Sequence, residues 1–137
     1  MLKEVFEMQD KLNARFNASQ KEIIAGGEDN QKMWVDRFCR VGIGELFEVQ
    51  KSVGGRWWKV DKDVKGWPHT REELADVFHF FVSACLAAGM SAEDLYQAYM
   101  DKNRENHVRP DWKINESPQM PLPLPKTPNE ASRVGAP

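Results

Sequence analysis

Thr70-Arg71-Glu72-Glu73-Leu74-Ala75-Asp76-Val77-Phe78-His79-Phe80-Phe81-Val82-Ser83-Ala84-Cys85-Leu86 decides the fold class. Leu74, Val77, Phe78, Phe81, Val82, Cys85 and Leu86 recur at three- and four-residue steps, the period of a helix with one buried face. Thr70 reads as the N-cap, Glu73 completes a capping box with it, and Gly89 ends the element. Upstream, Trp34, Phe38, Val41, Leu46 and Val49 face inward on a helix predicted from about Gln31 to Val53, which stops at Gly54-Gly55. Downstream, Ser91 with Asp94 caps a further helix whose core face is Leu95, Ala98 and Tyr99. A first helix carries Leu2, Val5, Phe6, Leu12 and Phe16, and a loop is expected over Ala25–Asn30. Amphipathic helices joined by short connectors predict an all-α, four- to five-helix bundle over residues 1–115. Residues 116–137, with Pro118, Pro121, Pro123, Pro125 and Pro128, read as a disordered tail.

A chain of 137 residues has room for one such domain without disulfide staples. Cys39 and Cys85 lie within apolar helical patterns and lack metal-knuckle spacing, so buried, reduced thiols are expected. The formal charge of −2, with both signs interspersed, lacks the basic stripe of a protein that grips a phosphate polymer, which argues against nucleic acid as partner. No apolar run reaches membrane-spanning length, and the N-terminus mixes acids into its first residues, so the expectation is a soluble, cytoplasmic protein without a membrane partner.

The chemistry is concentrated in four carboxylates. Glu45 and Glu48 are three apart on the second predicted helix, and Glu73 and Asp76 are three apart on the third, so each pair projects from one side. Both pairs border apolar residues, where gathered like charges need a countercharge. By this reading neither helix places Lys or Arg in the same stripe, and hard oxygen donors suit magnesium or manganese. Two divalent ions on such a site suit in-line displacement at phosphorus. The plainer alternatives are that Glu73 only serves the Thr70 capping box and that Glu45 and Glu48 are solvated helix positions. Asp76 argues against them, because aspartate is a poor residue for a helix interior.

Other residues suggest what those carboxylates act on. Gln9 and Asn13 sit one turn apart on the apolar stripe of the first helix, and their mixed donors and acceptors match the edge of a nucleobase. Trp57 and Trp58 either cover such a site or pack on the bundle, and His79 either touches substrate or packs in the core. On the last helix the stripe of Leu95 and Tyr99 continues as Lys102, Asn106 and Arg109, either a phosphate grip or a basic last turn that complements the helix dipole.

In order along the chain stand Met8-Gln9-Asp10-Lys11-Leu12-Asn13, Glu45-x-x-Glu48, Arg56-Trp57-Trp58-Lys59, Glu73-Leu74-Ala75-Asp76-Val77-Phe78-His79-Phe80, and Tyr99-x-x-Lys102-Asn103-x-x-Asn106-His107-x-Arg109. This ordered set resembles the dimeric dUTPases of the all-alpha NTP pyrophosphatase superfamily, which also holds the MazG-like enzymes. The resemblance implies hydrolysis of dUTP to dUMP and pyrophosphate, with Mg2+ on Glu45, Glu48, Glu73 and Asp76 as the catalytic centre. It implies that Gln9 and Asn13 read the base, aided by Trp57, Trp58, His79 and Phe80, and that Lys102, Asn106 and Arg109 take the phosphates. It also implies a homodimer in which one protomer helps to close the other's site. Pro110 and Trp112 stand where the family commonly has glutamine and tyrosine, so base choice stays open to another nucleotide such as dGTP or dCTP. A reading of a different class is a non-catalytic helical interaction module using the aromatic block and the proline-rich tail.

Overall fold

The computed structural model describes residues 1–56, 58, 60 and 64–109. The expected tail and the Pro110 and Trp112 departures lie outside the described residues, as does Trp57. Five helices and no strand occur among the described residues: α1 (Leu2–Ala14), α2 (Gln20–Ala25), α3 (Glu28–Ser52), α4 (Trp67–Ala87) and α5 (Ala92–Val108). The all-α expectation holds. No single helix among them is long and apolar enough to cross a membrane.

The stretch expected as a loop at Ala25–Asn30 is mostly helical. Ser19 and Glu22 form a reciprocal capping box that opens α2, with the Glu22 backbone N–H and the Ser19 side chain paired. The break is confined to Gly26 and Gly27, and Gly27 takes a left-handed φ of 86° open to glycine. Glu28 and Asp29 then occupy the first turn of α3, where acids complement the helix dipole. The Asn30 amide donates to the Ile23 carbonyl at 2.8 Å, so the polar residues that suggested a loop close the end of α2 instead.

The start of α4 also differs. Its N-cap is Gly66, Pro68 lies in the first turn where a missing N–H costs nothing, and Thr70 is inside the helix. The buried Thr70 hydroxyl meets Ser52 Oγ at 2.8 Å, pinning the start of α4 to the end of α3. Thr70 therefore forms no capping box with Glu73. The Ser91–Asp94 capping box of α5 and the stop at Gly89 are as expected.

α3 and α4 run antiparallel along their length. Ser52 meets Thr70, Gly42 lies against Phe80, and Gln31 donates to the Ala87 carbonyl. A Cβ at Gly42 would sit 3.4 Å from that of Phe80, so glycine lets the two backbones approach closely. The core has two parts. Phe6, Val82, Cys85, Leu86 and Ala92 join α1, α4 and α5, while Ala18, Ile23 and Ala87 meet Trp34, Val35 and Phe38. Several residues expected inward are not covered: Val41, Leu46, Leu74, Phe78, Phe81 and Tyr99 are each more than 40% exposed, and Ala98 is exposed. Of the two free thiols, Cys85 is buried and Cys39 is exposed, correcting the expectation for Cys39.

Candidate functional site

The antiparallel pairing of α3 and α4 carries Glu45 opposite Asp76. Oxygen atoms of Glu45, Glu73 and Asp76 lie within 4.8 Å of one another, with Glu45 and Glu73 partly buried. Burial pushes the Glu45 carboxyl above the ordinary glutamate range, and the charges of Asp76, Glu73 and Glu48 push it further. Three oxygen donors at this separation fit a hard divalent cation, which would remove that repulsion.

Glu48 contributes to the field at Glu45 but is not within that close group. Its carboxylate is 2.9 Å from Lys51 Nζ. Glu73 Oε1 is 2.9 Å from His69 Nε2, one turn earlier on the same helix. The expectation of no basic neighbour on these helices is thus corrected for Glu48, because Lys51 lies one turn on at the i,i+3 spacing. His69 supplies a second neighbour whose charge depends on protonation.

Beside the carboxylates lies a cavity of about 480 Å³, within the range of small-molecule sites. Gln9, Asn13, Asp76, His79, Phe80 and Ser83 line one part, and Leu12, Phe16, Trp34 and Phe38 line the rest. Asp76 belongs to both the cavity wall and the acidic group, so the two form one continuous site. Trp34 and Phe38 are in tilted contact with ring centroids 5.4 Å apart, and the Arg37 guanidinium lies 5.1 Å from the Trp34 ring centre.

At the cavity floor Gln9 and Asn13 are buried, and each of their side-chain polar atoms has a hydrogen-bond partner. Gln9 Nε2 donates to Asn13 Oδ1 and to Ser83 Oγ, both at 3.0 Å, and Gln9 Oε1 lies 2.5 Å from His79 Nδ1. Asn13 Nδ2 donates to Ser83 Oγ at 3.1 Å. The polar residues on the apolar stripe thus have partners, as burial of an amide requires.

The structure therefore joins Gln9, Asn13, Asp76, His79 and Phe80 in one cavity, with Glu45 and Glu73 at its acidic end. Trp58 is exposed and does not line that cavity. Lys102, Asn106 and Arg109 are on the last turns of α5 and at its C-cap, and none lines the cavity within this chain. Lys102 Nζ pairs with Glu105 at 2.8 Å. Trp34, Phe38 and Ser83 were not singled out as site residues by sequence. Ser83 had a signal: it is a polar residue in an apolar run, one turn after His79, as Gln9 and Asn13 are on α1.

A family model described as dUTPase, dUTPase_2, matches residues 1–88, which include the carboxylates, Gln9, Asn13, His79 and Phe80 but not α5. The chain belongs to the dUTPase_2 family. Among curated proteins it is similar to a dCTP pyrophosphatase of Enterobacteria phage LZ5, 51% identical over 39 residues that cover 28% of this chain and 23% of that protein. It is also similar to a dCTP pyrophosphatase of Enterobacteria phage T4, 27% identical over 82 residues that cover 50% of this chain and 48% of that protein. The matched part thus spans at most about half the length of these relatives. No solved structure matches the chain significantly. The dUTPase_2 match agrees with the all-α architecture and with the resemblance carried by the motifs, whereas the two named relatives are dCTP pyrophosphatases.

Proposed function

We propose that this dUTPase_2 member is a metal-dependent pyrophosphohydrolase of a pyrimidine deoxynucleoside triphosphate, releasing the monophosphate and pyrophosphate. The observation that carries the reading is Asp76, which is at once a wall of the cavity and a member of the acidic group. A base seated against Gln9, Asn13 and His79 would direct its polyphosphate to the carboxylates. Trp34, Phe38 and Phe80 offer the apolar and aromatic surface that excludes water around a base. Glu45, Glu73 and Asp76, with Glu48 beside them, would hold magnesium or manganese. That ion would supply the positive charge that offsets the polyphosphate and polarises its phosphorus.

The names of the two relatives favour dCTP, and the family description favours dUTP. The dCTP reading is preferred here because it comes from individual proteins rather than a family label. The uncovered apolar side of α3 and α4 supports a homodimer: Ile43, Leu46 and Phe47 on α3, with Leu74, Phe78 and Phe81 on α4, are all about half exposed or more. A partner protomer would then be the source of the phosphate-binding Lys102, Asn106 and Arg109. A cytoplasmic setting suits such an enzyme, since nucleotides and magnesium are found there and both cysteines are free thiols.

The test is pyrophosphate release from each deoxynucleoside triphosphate with magnesium, for the wild type and for Asp76→Asn. The expected result is preference for dCTP or dUTP and loss of release in the variant. Preference for a purine nucleotide would overturn the substrate assignment. Absence of release with every nucleotide would leave the non-catalytic interaction module as the better account.

A further inference from the structure

The cavity floor holds a hydrogen-bonded arrangement whose polarity is set by one residue outside the base-reading set. Ser83 is 1% exposed on α4, and its hydroxyl donates to the His79 carbonyl one turn back at 2.9 Å. A serine hydroxyl has one proton, and the other acceptor in reach, Asn13 Oδ1, is farther away at 3.3 Å. With that proton committed, Ser83 Oγ can only accept. Gln9 Nε2 and Asn13 Nδ2 both point at it, at 3.0 and 3.1 Å. The two amides are thereby held with their NH2 groups toward Ser83 rather than their carbonyl oxygens.

The rest of the floor follows from that choice. The second Gln9 N–H goes to Asn13 Oδ1, and Gln9 Oε1 is turned to His79 Nδ1, which must carry the proton between them because an amide oxygen only accepts. What remains unspent is one N–H on Asn13 and, on a neutral ring, an acceptor at His79 Nε2. Asn13 and His79 line the same cavity, so this donor and this acceptor are available to the edge of a pyrimidine. Cytosine presents its 4-amino donor beside the N3 acceptor, and uracil presents its O4 acceptor beside the N3–H donor, so the two bases carry the pair in opposite order. Turning Asn13 over would replace its N–H by an acceptor, and turning Gln9 over would move the His79 proton to Nε2, so the pair that the site presents depends on both amide orientations.

We propose that Ser83 is a positioning residue for base choice: its buried hydroxyl fixes the orientation of the Gln9 and Asn13 amides, and so decides which pyrimidine the cavity accepts. The inference rests on the pyrophosphohydrolase reading above. The experiment measures kcat and KM for dCTP and dUTP in the wild type and in Ser83→Ala, Ser83→Cys and Ser83→Thr, each checked for a cooperative thermal transition. Cysteine keeps the shape of serine but is a weak acceptor, and threonine keeps the hydroxyl.

The ratio of kcat/KM between the two nucleotides is expected to fall roughly tenfold or more in the alanine and cysteine variants, the scale of a lost buried hydrogen bond. The change should lie in KM for the preferred nucleotide, with kcat within about threefold, and threonine should restore the ratio. If alanine fails to fold, the cysteine and threonine pair decides. An unchanged ratio in the cysteine variant, a loss confined to kcat, or a wild type that does not distinguish dCTP from dUTP overturns the role of Ser83 alone. A wild type that hydrolyses neither nucleotide overturns the underlying reading as well.

Discussion

Replacing Glu45 by glutamine should stabilise the metal-free protein, and that advantage should shrink or reverse once magnesium is present. Oxygen atoms of Glu45, Glu73 and Asp76 lie within 4.8 Å of one another. Two unit charges at that separation repel by about 0.9 kcal/mol in bulk water and about 3.5 kcal/mol at an effective dielectric constant near 20. Asp76 is exposed, so the value nearer water applies, and removing one charge from two such pairs should relieve about 1 to 2 kcal/mol. For a domain of this size that is a rise in Tm of roughly 4 to 8 °C in EDTA at neutral pH. Magnesium at ten times its dissociation constant adds about 1.4 kcal/mol to the wild type, so the order should invert or the gap close in its presence.

The pH dependence has a definite sign. Glu45 is raised above its ordinary value, so the folded wild type binds that proton more tightly than the unfolded chain. Its stability relative to Glu45→Gln is therefore greatest below the ordinary glutamate range and is lost as pH rises through the raised value. Differential scanning fluorimetry across pH, in EDTA and in magnesium, measures all of this. A variant that melts below wild type in EDTA at neutral pH, or an equal magnesium shift in both proteins, would refute the account of an under-compensated carboxylate group.

Val82, which is fully buried between α1, α4 and α5, should cost about 2 to 3 kcal/mol on replacement by alanine, read as a lower urea midpoint at unchanged m. Ser91→Ala removes the capping box of α5 and should cost about 1 kcal/mol by the same measurement. Phe78→Glu, on the uncovered side of α4, should convert a dimer to a monomer in sedimentation velocity while leaving helix content unchanged by circular dichroism; a monomeric wild type would remove the basis for a homodimer.

Helix type and approximate position follow from periodicity, because one face of each helix is apolar whatever covers it. The capping box of Ser91 and the stop at Gly89 were legible for the same local reason. Thr70 shows the limit: the same capping-box pattern occurs inside α4, where Gly66 is the N-cap and the Thr70 hydroxyl is buried against Ser52. Leu46, Leu74, Phe78 and Phe81 fit the core pattern yet lie open on this chain, since a pattern records that a face is apolar and not what it packs against.

By itself the sequence determined an all-α chain, a pair of carboxylates on each of two adjacent helices, and two amides placed where an apolar stripe should run. Those follow from residue spacing along single helices. The tertiary structure alone decided that α3 and α4 pair antiparallel closely enough at Gly42 to bring Glu45 to Glu73 and Asp76, with Glu48 left to Lys51. It also brought Ser83 of α4 under Gln9 and Asn13 of α1, more than sixty residues away in the chain, and kept Lys102, Asn106 and Arg109 out of the cavity. Contacts between helices depend on their register and rotation against one another, which periodicity within a helix does not encode.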